Sequence, residues 1–172
     1  MARVSVLLLA SLFMLACSSD VSSGPTTSSR CDTPSLEMAL AGGGVAAGSV
    51  RSTIVLRNIS GRHCELTGYL GLELLNVAGG RLKSRIEQSS TDLFLHTPAP
   101  FATVTLPADG HAYAPMRWND IAEPCVDVYQ LRITPPGARD AAVIRVGPDA
   151  FAHIAICSGG QVTMNPIRAE PY

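Results

Sequence analysis

The sequence is poor in charge and in aromatic rings: charged side chains make up 16% of its 172 residues and aromatic ones 5%. The charges present nearly cancel, 13 Lys plus Arg against 14 Asp plus Glu. The basic face that holds a phosphate backbone is therefore missing, and nucleic acid is excluded as a partner. Lysine occurs once, at Lys83, against twelve arginines. Helical spacing of apolar residues is nowhere sustained over three turns. The mean hydropathy of +0.22 is raised by one apolar run at the start, and no run reaches the about 17 to 25 residues of a spanning helix. Motifs of the C-x-x-C, H-E-x-x-H, G-x-S-x-G and S-x-x-K types are absent, which removes the usual signatures of zinc sites and of serine hydrolases. His63, His96, His111 and His153 have no ligand spacing, and Gly42-Gly43-Gly44 lacks the Lys-Ser/Thr of a phosphate loop. Glu65 and Glu73 stand in turn or strand contexts with no sign of a cleft. The expectation is no catalytic residue, no metal and no cofactor.

What is present begins at the amino terminus. Arg3 precedes a mostly apolar run from Val4 to Ala16, and the small Ala16 precedes Cys17, the three-part pattern of a secretory signal. Met14-Leu15-Ala16-Cys17 resembles a bacterial lipobox in its looser form. In such signals the cysteine sulfur accepts a diacylglyceryl group as a thioether and becomes the new amino terminus. Two acyl chains suffice for stable attachment without a span. Residues 1–16 are thus expected to be a lipoprotein signal peptide and Cys17 the lipidation site. The membrane is then the first partner, reached through lipid on the extracytoplasmic face of the cell membrane, with plain secretion the alternative. Six Ser and two Thr fall among residues 18–30, which bury nothing. With Cys17 they are expected to form a disordered tether, 17–30.

Four cysteines remain, Cys31, Cys64, Cys125 and Cys157, an even number in an exported domain and so a disulfide framework. Three connectivities exist, and geometry favours one. Cys31 stands before the first expected strand and Cys64 after the second, so antiparallel pairing brings them to one end. Cys125 precedes a strand at 128–134, and Cys157 ends an apolar segment able to pair with it. Hence Cys31 with Cys64, and Cys125 with Cys157.

Period-two alternation dominates the remainder. Leu36, Met38 and Leu40 share a face, as do Ile54 and Leu56 in 52–58, and Leu70, Leu72 and Leu74. Further strands are expected at 80–86, 102–106, 111–118, 128–134, 141–146, 152–157 and 162–165. Turn chemistry separates them at Gly42-Gly43-Gly44, Asn58-Ile59-Ser60-Gly61, Gly79-Gly80, Pro107-Ala108-Asp109-Gly110, Pro135-Pro136-Gly137 and Ser158-Gly159-Gly160. The turn at Pro107–Gly110 predicts a hairpin, with Gly110 taking the positive dihedral. Residues 86–100 read as a long loop, and such loops are often functional or mobile. Short strands joined by turns predict an all-β antiparallel sandwich over residues 31–172.

Asn58-Ile-Ser-Gly-Arg-His-Cys-Glu-Leu-Thr-Gly-Tyr69, Pro107-Ala-Asp-Gly-His-Ala112 and Ile133-Thr-Pro-Pro-Gly137 resemble the motifs N-x-S-G-x-x-C-x-L-x-G-Y, P-G-x-x-A and V-T-P-P-G. These mark an actinobacterial family of secreted and lipid-anchored domains of unknown function. The resemblance spans Cys31 to about Ile167, and departs at Ala108-Asp109 and at Leu70, where Pro is usual. It implies an immunoglobulin-like fold and an envelope location, and no activity.

Surface chemistry then carries the functional expectation. On a strand through 111–118, His111, Tyr113 and Arg117 face away from Met116 and Trp118, which read as core. Tyr and Arg dominate binding hot spots, so Tyr113 and Arg117 are the candidate binding residues. The expected function is a lipid-anchored envelope protein acting as a non-enzymatic binding or interaction module, its ligand an envelope protein or a small molecule. A purely structural envelope component and a secreted enzyme with an unrecognised site are the alternatives.

Overall fold

Alternation in the chain becomes alternation in burial. Over 49–58, Ser52, Ile54, Leu56 and Asn58 are buried while Arg51, Thr53, Val55 and Arg57 lie on the other side. The structure, a computed structural model, describes residues 29–171. The expected signal peptide, Cys17 and all but the last two residues of the expected tether lie outside the described residues.

The strands are β1 (Ser29–Arg30), β2 (Leu36–Ala41), β3 (Val45–Ala46), β4 (Ser49–Asn58), β5 (Cys64–Thr67), β6 (Gly71–Leu75) and β7 (Arg85–Gln88). They continue with β8 (Thr103–Leu106), β9 (His111–Asn119), β10 (Val126–Val128), β11 (Gln130–Thr134), β12 (Ala142–Arg145), β13 (Ile154–Ile156) and β14 (Gln161–Met164). The protein is all-β. The largest sheet runs β2-β4-β9-β14-β7, with β3 beside β4. Its pairs are antiparallel except β14 with β7. Smaller sheets run β12-β11-β6, β1-β5-β8 and β10-β13. Their apolar faces meet that of the large sheet in one core, which joins Ile54, Leu56, Met116 and Met164 to Leu66, Leu74, Leu131 and Ile133. No helix among the described residues is long and apolar enough to cross a membrane.

Two disulfides close the framework, Cys31 with Cys64 and Cys125 with Cys157. The first strand pairing behind that expectation exists, with Leu36 opposite Asn58; the second is made by β10, Val126 opposite Ile156, and of the expected strand 128–134 only Val128 takes part, since 130–134 pair with β6 and β12.

Several local expectations give way to tertiary packing. Pro107–Gly110 is a turn, closed by Gly110 N donating to Pro107 O at 2.9 Å, but it is not a hairpin. β8 pairs with β5 and β9 with β4, so the turn is a corner between sheets. The positive φ falls on Asp109, at 59°, rather than on Gly110. Gly42–Gly44 does not reverse the chain; the reversal comes at Ala47 and Gly48, both at positive φ. A side chain at Gly43 would collide with the Arg51 carbonyl, so the glycine permits close approach of two backbones. The segment 80–86 meets β6 at Arg81, bridged to Leu75, and at Leu82, whose N donates to Leu74 O at 2.8 Å, and its strand starts at Arg85 in the large sheet. The segment 128–134 breaks at Tyr129 because β10 and β11 serve different sheets. Ser29 and Arg30, assigned to the tether, pair with Cys64 and Glu65.

Candidate functional site

The outward side of the large sheet collects the chemistry. Inward residues of β9, Ala112, Ala114, Met116 and Trp118, are buried, which turns His111, Tyr113 and Arg117 outward. Trp118 is 6% exposed and its Nε1 donates to Ala155 O at 3.1 Å, a core role as expected. Both candidate binding residues thus share one face, four positions apart, or about 13 Å along a strand. Tyr113 lies opposite Val55 and lines a depression of about 280 Å³ with Thr53, Phe94 and Pro171. Arg117 lines a second depression of about 340 Å³ with Ser49, Asn119, Gln161 and Thr163.

Cross-strand register sets the electrostatics. Arg117 stands between Arg51 on β4 and Thr163 on β14, and Ser49 stands opposite Asn119. The nearest carboxylate on the adjoining strand, Glu87, is already held by Arg85 at 2.8 Å and by Gln161 Nε2 at 3.0 Å. Arg57, further along the same face, is paired with Glu37 at 2.8 Å and Asp109 at 3.0 Å. Arg51 and Arg117 have no ion-pair partner among the described residues. The Arg51 guanidinium lies 5.3 Å from the Phe94 ring centroid, within cation–π range, while its Nε is buried and lacks a hydrogen bond.

Phe94 reaches this face on the segment after β7, where a long loop was expected. The segment is tied down by buried polar side chains. Asn165 accepts from Leu93 N at 2.9 Å and donates to Ser89 O at 2.9 Å and Thr91 O at 2.7 Å. Asp92 accepts from the amides of Phe94 and Leu95 at 2.8 and 2.7 Å and from Arg168 Nη1 at 3.0 Å. Arg168 in turn exchanges backbone hydrogen bonds with Tyr113. None of these three was singled out from sequence. The Asx turn that begins at Asp92, whose Oδ1 accepts from Phe94 N, was the available signal.

The other polar groups do not converge. His63, His96 and His111 are exposed, and His153 stands 3.9 Å from Asp127 and beside the Tyr129 ring. No group of three His, Cys, Asp or Glu among the described residues is placed to hold a metal. Tyr69 packs edge-on against Phe101, ring centroids 5.1 Å apart, and burial pushes its phenol above the ordinary 10.0. The family motif around Tyr69 is structural at its start: Asn58, fully buried, bonds to the chain at Ser60, Arg62, Leu106 and Pro107.

Fold and site together define a disulfide-bridged all-β domain with a polar and aromatic outer sheet face. A family model for a domain of unknown function, DUF4232, matches residues 31–168, and the chain belongs to that family. The match begins at Cys31 of the first disulfide and ends at Arg168 of the Asp92 clasp. No curated protein and no solved structure matches the chain.

Proposed function

We propose that this protein is a lipid-anchored, extracytoplasmic binding module. Its immunoglobulin-like sandwich is tethered through a diacylglyceryl group on Cys17, and it takes its ligand on the outward face of the β2-β4-β9-β14-β7 sheet. The observation that carries the reading is the pairing pattern of that face. Arg57 is paired there with Glu37 and Asp109, and Arg85 with Glu87, whereas Arg51, over the Phe94 ring, and its cross-strand neighbour Arg117 have no ion-pair partner among the described residues. Aromatic and Arg side chains of this kind are the usual anchors of a binding surface. Two disulfides agree with an oxidising compartment outside the cytoplasm. The Cys17 reading rests on the lipobox-like segment before it.

Two measurements test the proposal. In cell fractionation, Cys17→Ala is expected to move the protein from the membrane to the soluble extracytoplasmic fraction; unchanged membrane retention refutes the anchor. In intact cells, crosslinking from Tyr113 and Arg117 positions is expected to capture a partner that crosslinking from the opposite, β11-β12 side does not. Equal recovery from both sides refutes the assignment of the face and favours a structural envelope component.

A further inference from the structure

Arg51 and Arg117 are direct cross-strand neighbours on β4 and β9. Directly opposed side chains of an antiparallel pair have their Cβ atoms about 4.5 to 5.5 Å apart, and like charges there repel. The usual remedy is an intervening carboxylate, and the sheet supplies one to every other arginine of this face. Arg57 has Glu37 and Asp109, and Arg85 has Glu87. The half-buried Asp120 at the same end pairs with neither Arg51 nor Arg117. Arg51 also carries a buried Nε–H without an acceptor, a donor that costs free energy until something accepts from it. The register adds neutral donors around the pair: Thr163 beside Arg117 in one row, and Ser49, Asn119 and Gln161 in the next.

Resting on the reading of this face as the ligand site, we infer that Arg51 and Arg117 form a receptor for a single oxyanion, a carboxylate or a phosphate group of the ligand. Guanidinium forks match the two oxygens of such a group, and two of them on adjacent strands neutralise it between them. Thr163 and Asn119 supply hydroxyl and amide donors for its remaining lone pairs. The Phe94 ring, stacked under Arg51, limits the rotamers open to that side chain and so lowers the ordering cost of binding.

The test uses the full chain, with inorganic phosphate and acetate as separate probes, followed by NMR of the arginine Nε–Hε signals and by calorimetry. The expected result is saturable shifts of the Arg51 and Arg117 signals with at least one probe, weakened by added sodium chloride. Phosphate alone binding assigns the group as phosphate; acetate binding assigns it as carboxylate. Arg117→Gln and Arg51→Gln are each expected to weaken binding about tenfold or more, as for loss of a hydrogen bond to a charged group, while Arg57→Gln leaves it unchanged. The thermal midpoint of either glutamine variant without probe should stay the same or rise, because a repulsive pair has been removed. The inference is overturned if neither probe gives saturable shifts, if Arg57→Gln weakens binding as much as Arg117→Gln, or if the single variants lose stability. Partner capture at Tyr113 that survives Arg51→Gln and Arg117→Gln would overturn the oxyanion site while leaving the binding face intact.

Discussion

Asn58, the last residue of β4, donates from Nδ2 to the carbonyl of Leu106 at 3.0 Å, across 48 residues of chain. The same amide reaches Pro107 O at 3.0 Å and Arg62 O at 2.6 Å, and its Oδ1 accepts from Ser60 N at 3.0 Å. One buried side chain thus joins the end of the longest strand to the corner where the chain passes from one sheet to another. Asn58→Ala strands the buried Leu106 carbonyl, worth roughly 1 to 3 kcal/mol, and removes the partly buried bonds to Arg62 and Pro107. A loss of about 3 kcal/mol is expected in urea unfolding, whereas Ser60→Ala, in an exposed turn, should cost less than about 1 kcal/mol.

The disulfides close loops of similar length, with sequence separations of 33 and 32. Chain entropy assigns each about 3 to 4 kcal/mol. Cys31→Ser with Cys64→Ser, and Cys125→Ser with Cys157→Ser, should each lower stability by about that amount. Peptide mapping without reductant should recover Cys31 with Cys64; a Cys64 to Cys125 peptide would contradict the fold.

Asn165 and Asp92 hold the segment that carries Phe94. Removing either side chain should loosen that segment without unfolding the core, because the inward faces of β4, β9 and β11 do not depend on it. In hydrogen exchange, Asn165→Ala is expected to speed the amide of Leu93, and Asp92→Ala those of Phe94 and Leu95, with the amides of Ile54 and Leu131 unaffected. Uniform acceleration would show that the clasp belongs to the core.

Tyr69 ionises later in the folded chain than in the unfolded one, because burial disfavours the phenolate. The folded chain then holds the proton longer than the unfolded chain does. Its contribution to stability is therefore complete below the ordinary value of 10.0 and is lost as the pH rises through the higher folded value. Ultraviolet titration should show one tyrosine ionising above the ordinary range, absent in Tyr69→Phe, whose stability should fall less steeply in alkali.

Much of the fold was legible because a strand's period of two is a property of the local chain. The alternation of Leu36, Met38, Ile54, Leu56, Leu72 and Leu74 marks which residues face inward whatever the strands pair with. The bridges were legible as well, since Cys31 and Cys64 flank a pair of strands whose antiparallel contact is forced by a short connection. Tyr113 and Arg117 could be assigned to one outward face for the same reason. Their neighbours could not. That Arg51 lies beside Arg117 follows from register between β4 and β9, which are separated by more than fifty residues, and no local pattern encodes it.

The corner at Pro107–Gly110 shows where local reading ends. Pro, Asp and Gly dictate a turn, and a turn is present; whether the strands leaving it pair with each other depends on which sheets need a neighbour. The segment after β7 makes the same point. Its polar residues read as a loop, and only packing brings Asn165 and Arg168, more than seventy residues later, to satisfy its backbone.

The sequence by itself determined strand periodicity, most turn positions, the Cys31–Cys64 pairing and the lipobox-like start, because each depends on neighbours in the chain or on strands joined by a short connection. Tertiary structure alone decided the partition into sheets, the Asp92–Asn165–Arg168 clasp and the juxtaposition of Arg51 with Arg117. Those depend on long-range register, and register is settled by the burial of whole faces, a free energy no single segment contains.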